Sequence, residues 1–362
     1  MFNNEALSIV IGLTFIYLLY SLLGTLIQEI IATNIQLRGL VLRYAIHVML
    51  GDSKSKTNSV SETFYKHPFI KLLKTGNFIS DCPSYIDPDT FSKVLIDLLR
   101  GSAINAGDAF KNEIQNSLTK KKLAWNDAVN IPEETISYLN TIWIDSQGDT
   151  QKFKSLIEDW FNKMMRKSTT WYKQSTQLIL LVVGLVIAIA FNVDTLGIVK
   201  KLESNPTLTQ HVVEQADNFV KVHPNLEEDL KNTDDAIAQM IKPQAVKDSL
   251  KAAALDQYKQ TKHLKDSLVS QAKTLVTNDI SKVNDLLGLG WPNDFLHFEK
   301  DANIGRIILG WLLTALAISL GAPFWYDLLN KLMQLKGAAA STKSAGSDDK
   351  DKTAVKPADR VG

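Results

Sequence analysis

The sequence predicts a mainly α, three-span integral membrane protein with a helical cytoplasmic domain and a helical extracytoplasmic bundle or hairpin. Three observations predict it. Hydrophobic residues gather into three runs, near residues 8–27, 177–193 and 304–323, each close to the roughly 20 apolar residues that a bilayer-crossing helix needs. The intervening segments are polar, with apolar residues recurring at helical spacing. Lys and Arg are also distributed unequally about the ends of the runs, which sets an orientation.

The first run follows the leader MFNNEAL, which has no Lys or Arg, and no small-x-small cleavage site comes after it. Its core is too long for a secretory signal, so it reads as an uncleaved span. The middle run is the shortest. Trp171 and Tyr172 precede it as an interfacial belt, and no charge interrupts it before Asp194. Within about 20 residues of the span ends, one side carries Arg38, Arg43, Lys163, Arg166, Lys167, Lys173, Lys331, Lys336 and Lys343. The other carries only Lys200, Lys201, Lys300 and Arg306. The expected topology places the N-terminus outside, residues 28–176 in the cytoplasm, residues 194–303 outside and the C-terminus in the cytoplasm.

Beyond the first run, residues 28–50 keep a broad apolar stripe, so the first helix is expected to continue to about residue 50, with Gly51 as its stop. Residues 51–176 form the expected helical cytoplasmic domain. Asp87 before Pro88 opens a helix that Gly101 closes. Phe153, Leu156, Ile157, Trp160, Phe161 and Met164 recur at the spacing of one buried helix face. Lys120, Lys121 and Lys122 read as a solvated turn or a lipid-headgroup contact; no interleaved aromatics support nucleic-acid binding. Residues 194–303 are expected to form the helical outer domain. Asp194 caps a helix from Thr195, and further helices start at Asn205-Pro206 and near Thr277 to Asp279. Leu250, Ala253, Ala254 and Tyr258 form a narrow stripe suited to a helical hairpin.

The third run closes with ISLGAPFWYDLLNK. Pro323 should kink or break the helix. Trp325 and Tyr326 should then lie at headgroup level. Asp327 should begin an interfacial or docking helix, within residues 324–336, that packs on residues 28–176. Residues 337–362, almost without large apolar residues, read as a disordered cytoplasmic tail. Small residues at packing distance, such as Gly184 with Ala188 and Ala317 with Gly321, permit close contacts between spans.

LGAPFWYDLLNKL, the Trp171-Tyr172-Lys173 entry to the middle span, its Asn192-x-Asp194-Thr195 exit, and a long first helix carrying Gln28, Glu29 and Arg38 give the chain a family likeness. It resembles a family of uncharacterised bacterial inner-membrane proteins. The resemblance implies a bacterial inner membrane and the same three-span plan, and it implies no activity.

The charge balance, 40 Lys and Arg against 39 Asp and Glu, points to neither nucleic acid nor an acidic partner. No phosphate-cradling loop, CxxC pair or His-Glu-x-x-His run occurs, and His47, His67, His211, His223, His263 and His297 lack ligand spacing. Cys82 is the single cysteine and reads as a bystander. The ionisable residues near the spans, Glu29, Asp194, Arg306 and Asp327, sit at span ends. Glu29 reads as an interfacial partner for a basic residue. The expectation is therefore no enzyme, no metal and no cofactor. A membrane-anchored scaffold or coupling protein acting through protein partners or self-association is expected, with an oligomeric channel or transporter subunit as the alternative.

Overall fold

The computed structural model describes residues 4–52, 59–73, 82–101, 108–224, 226, 270–271, 273–291 and 303–345. They are almost wholly helical and divide into two compact units. The first holds the described residues up to Gln28, then 178–226 and 270–345; the second runs from Glu29 to Gln177.

The chain opens with α1 (Asn4–Asn34). Contrary to the expectation of one helix to residue 50, Gln36 adopts a left-handed conformation (φ 50°) and a separate helix, α2 (Leu37–Met49), follows. Gly51, also left-handed (φ 69°), ends α2. Next come α3 (Val60–Lys66), α4 (Pro68–Leu72), α5 (Pro88–Arg100) and α6 (Asp108–Lys120). Asp87 caps α5 through the Thr90 amide at 2.8 Å, and Gly101 stops it. A short antiparallel pair, β1 (Lys122–Leu123) and β2 (Asn126–Asn130), was not anticipated. The Lys120–Lys122 run lies at the α6–β1 turn, where Lys121 is left-handed and pairs with Glu133 at 2.8 Å. The second unit is completed by α7 (Glu133–Asp145) and the first part of α8 (Thr150–Ala190). Its core is a single apolar cluster. Phe153, Ile157 and Phe161 of α8 pack there with Phe64, Phe91 and Trp143, as the helical stripe requires.

The first unit takes α1 up to Gln28, the rest of α8, α9 (Thr195–Ser204), α10 (Pro206–Val222), α11 (Ser281–Leu287), α12 (Ile304–Ser319) and α13 (Ala322–Ala345). Asn205 caps α10 as expected. Thr277 to Asp279 do not start a helix; they sit in a π turn, Val276–Ile280, that leads into α11. The proposed stripe from Leu250 to Tyr258 lies outside the described residues.

In the first unit α1 is central. Ile11, Ile16, Leu18, Leu19 and Tyr20 are fully buried. A Cβ at Gly12 would meet Val212 of α10 at 3.3 Å and Leu202 of α9 at 3.5 Å, and Phe15 lies 5.6 Å from Phe219. Residues 195–222, expected as part of a separate outer domain, thus pack on the first half of the first apolar run. Their apolar face, Val212, Val213, Ala216 and Phe219, is buried there. Deeper along α1, Gly24 approaches Leu180 of α8 and Ile318 of α12. Gly184 is equally tight against Ile318 and the Ala315 carbonyl, the close approach that small residues allow. Val182, Val186, Ile308, Leu312, Leu316 and Leu320 remain exposed on α8 and α12.

Two helices, α1 and α8, are long and apolar enough to cross a membrane. The pair α12 and α13 makes a third if taken as one broken span; its axes meet at 92°.

Candidate functional site

The first unit contains two partly buried helix ends, and the orphan carbonyls there need partners. At the end of α8, Ala190 is followed by a reversal in which Asn192 is left-handed and Val193 is buried. The middle apolar run, read as a span over 177–193, therefore stops being helical three residues early. Trp291 donates its indole N–H to the Ile189 carbonyl at 3.0 Å, and Asn192 donates to the Gly290 carbonyl at 3.0 Å.

The Val193 carbonyl is met by the Thr314 hydroxyl at 2.6 Å. Thr314 also contacts Thr195 Oγ1 at 2.8 Å, and Thr195 contacts the Tyr17 hydroxyl at 2.9 Å. A carbonyl can only accept, which fixes the direction of the chain: Tyr17 donates to Thr195, Thr195 to Thr314, and Thr314 to the carbonyls of Val193 and, at 2.9 Å, Gly310. Four segments, α1, the α8–α9 turn, α9 and α12, are thereby joined through one buried hydroxyl relay.

Asp194 stands beside this relay. Its Oδ1 accepts from the Leu196 amide at 3.0 Å, so it caps α9 as expected. Its Oδ2 lies 3.3 Å from an Arg306 nitrogen at the start of α12. The turn is pressed onto α12 at Gly310. A Cβ there would overlap Asp194 Oδ1 and fall 2.6 Å from Cγ and 3.3 Å from Cα. Only glycine fits at that position.

The second break follows the same logic. Gly321 is left-handed (φ 84°), and Pro323 occupies the first turn of α13, where its missing N–H costs nothing. The predicted break at Pro323 is present. Its surroundings differ from the expectation. Trp325 is buried within the protein: it donates to the Ala317 carbonyl at 2.7 Å and packs 4.7 Å from Tyr17. Tyr326 donates to the His223 carbonyl at 2.5 Å. Trp325 and Tyr326 are thereby engaged by α1, α12 and the residue that follows α10 within their own unit. Asp327 does not begin the helix; it lies one turn inside and pairs with Lys331 at 2.7 Å. The helix is also longer than residues 324–336, reaching Ala345 in the segment read as a disordered tail. Residues 338–340 are all Ala, the best helix former, and a helix needs no large apolar residue to continue.

In the second unit, Arg38 Nε donates to the Tyr172 hydroxyl at 3.2 Å and the guanidinium stands 5.2 Å from that ring. Trp171 lies 5.2 Å from Tyr44, with the Lys167 ammonium 5.5 Å from its ring. Glu29 is half-buried near the end of α1.

Two polar clusters of the second unit were not visible in the sequence. Asp52, buried, accepts from the amides of Val60 and Ser61, and Ser61 Oγ lies 3.1 Å from His47 Nδ1. Asp52 spends both oxygens on the start of α3, so this group pins a helix rather than orienting an imidazole as a catalytic carboxylate would. His67 is buried between Phe69 and Trp125 with its Nε2 3.8 Å from Asp97, which also holds Arg100. Burial pushes the His67 imidazole below its ordinary value, against the pull of Asp97. Both clusters depend on contacts between separate helices, for which sequence spacing gives no signal.

No family model matches the chain, and no curated protein or solved structure matches it.

Proposed function

We propose that this chain is a membrane-anchored scaffold or coupling protein that works through protein partners. The observation that carries the reading is the sharing of helices. Residues of α8 enter the core of the second unit at Phe153, Ile157 and Phe161, and the same helix enters the first at Val183, Ile187 and Ala188. The hydroxyl relay and the Gly310 contact then fix α8's far end to α9 and α12. Such a helix is suited to hold one unit to the membrane while the other presents helical surfaces to partners.

The finer expectation belongs to the same reading: a bacterial inner membrane, as in the family whose closing motif this chain resembles, with the N-terminus outside and residues 28–176 cytoplasmic. The Lys and Arg asymmetry supports that orientation. Cys82 is buried, so a cysteine placed at the exposed Lys163 in a chain with Cys82→Ser, labelled by a membrane-impermeant maleimide in sealed vesicles, reports the side. Protection in spheroplasts and labelling in inverted vesicles is the expected result.

The sharp break between α12 and α13 favours the second reading, an oligomeric channel or transporter subunit, because broken membrane helices line many transport sites. Mild-detergent purification with identification of co-purifying proteins separates the two. The scaffold reading expects partners that are lost when residues 205–288 are removed. A partner-free protein that conducts ions in planar bilayers overturns it.

A further inference from the structure

We infer that Arg38, Lys167 and Lys173, with the rings of Trp171 and Tyr172, form a basic collar around α8 that binds the phosphodiester headgroups of anionic phospholipids. The inference rests on the reading that α8 crosses a membrane, and the test separates the two.

The first argument is position. The apolar run of α8 begins near Leu178. At 1.5 Å per residue, Lys173, Trp171 and Lys167 stand about 8, 11 and 17 Å before it along the helix. The headgroup layer is roughly 5–8 Å deep on each side. Lys173 and Trp171 fall in or next to that layer, and the Lys167 stem can snorkel towards it.

The second argument is charge without a carboxylate partner. Elsewhere, Lys66, Lys93, Lys121, Lys154, Lys221 and Lys331 each hold a carboxylate within 4 Å. Among the described residues, Arg38, Lys167 and Lys173 make no ion pair. Arg38 spends its Nε on Tyr172, which fixes the guanidinium. Its terminal nitrogens suit a phosphate fork, the geometry in which arginine exceeds lysine. One turn further from the apolar run, Lys163 and Arg166 line an open cavity with Asp159, extending the positive field.

The third argument is the aromatic frame. Trp171 is held by Tyr44 and Lys167, and Tyr172 by Arg38. Amphipathic rings at this depth anchor a helix at the headgroup level and leave the cations aimed at the same layer.

The test uses the full chain purified in mild detergent from a defined lipid mixture of phosphatidylglycerol and phosphatidylcholine, with retained lipid counted by native mass spectrometry. Near a surface each basic residue is worth about a five-fold preference for anionic lipid. After screening, the triple variant R38Q/K167Q/K173Q is expected to lose at least about ten-fold of the phosphatidylglycerol preference. The double variant K167Q/K173Q, which leaves the Arg38–Tyr172 contact intact, should lose part of it. The charge-matched control K66Q/K93Q/K121Q, at lysines paired to carboxylates away from the span ends, should lose none. Equal retention by the wild type and the triple variant, or an equal loss in the control, overturns the inference. A parallel arm compares thermal stabilisation by inorganic phosphate and by short-chain phosphatidylglycerol. If phosphate alone stabilises as well, the site takes free phosphate and the lipid assignment is wrong. Extraction at alkaline pH reports the parent reading separately: a chain released from membranes is not integral, whereas an integral chain without anionic preference overturns the headgroup site alone.

Discussion

The apolar windows of α1 and α8 are both apolar enough to cross a membrane, with mean hydropathy 2.2 and 1.8, yet 67% of the first is buried inside the protein and only 28% of the second. α1 is enclosed by α8, α9, α10, α12 and α13, and its polar side chains Tyr17 and Tyr20 find partners in Thr195 and Asn284. α8 turns Leu178, Val182 and Val186 outward at intervals of four residues. The difference teaches that hydropathy reports the solvent a helix can tolerate and says nothing of whether protein or lipid fills that role. A lipid-facing helix can be purely apolar. A central one must also be shaped to its neighbours, which is why Gly12 and Gly24 lie in α1 where other helices approach most closely.

The largest expected effect breaks the frame around the central helix. Gly310→Ala puts a methyl group into Asp194, whose backbone as well as carboxylate blocks it, so α12 and the α8–α9 turn must separate. A loss of about 3 kcal/mol or more is expected, at the severe end for overpacking. Thermal unfolding in detergent measures it. A variant as stable as the wild type would show that the turn is not pressed onto α12.

The comparison itself is sharpened by a matched pair. Leu18→Ala, at a fully buried site of α1, should cost about 2–5 kcal/mol. Val186→Ala, 60% exposed on α8, should stay within about 0.5 kcal/mol. Equal losses would mean that the outward face of α8 is covered by something the single chain does not contain, such as a second copy.

Thr314→Val tests the hydroxyl relay at constant shape. It removes the donor to the Val193 carbonyl and leaves Thr195 without its acceptor. A cost of about 1–2 kcal/mol is expected, in the range of buried interhelical hydrogen bonds. In the double variant with Thr195→Val the two losses should be less than additive, because both residues belong to one chain of bonds.

How much of this was legible follows from the range of each interaction. Local signals read correctly: the Asp87 and Asn205 caps, the Gly51 and Gly101 stops, the Phe153 to Phe161 face, the Asp194 cap and the break before Pro323 all depend on residues within a few positions of one another. The break of the first helix at Gln36 was hidden, since a left-handed glutamine carries no sequence mark. The partners of Trp325 were hidden for a physical reason. An aromatic at a span end can give its N–H to headgroups or to a carbonyl, and the choice of the Ala317 carbonyl depends on the fold of α13 back onto Tyr17. The contacts of Gly310 with Asp194 and of Thr314 with Val193 join segments far apart in sequence. They are products of packing that one sequence cannot display.

The smallest expected effect lies in the second unit and contrasts its chemistry with the first. The polar groups that join helices in the first unit are mostly hydroxyls and amides, whereas the second buries an imidazole. Burial disfavours the charged form of His67 more than Asp97, itself paired to Arg100, favours it. Its folded-state pKa therefore lies below the ordinary 6.5. The unfolded chain then binds more protons in the interval between the folded value and 6.5, so stability rises with pH through that interval. The contribution is complete above about pH 6.5 and is lost as the pH falls through the folded value. Unfolding of the second unit, followed by tryptophan fluorescence between pH 5 and 8, should show this slope. His67→Phe should flatten it, since the ring remains between Phe69 and Trp125 while the titrating nitrogen is gone. A slope unchanged in the variant would assign the pH dependence to another group.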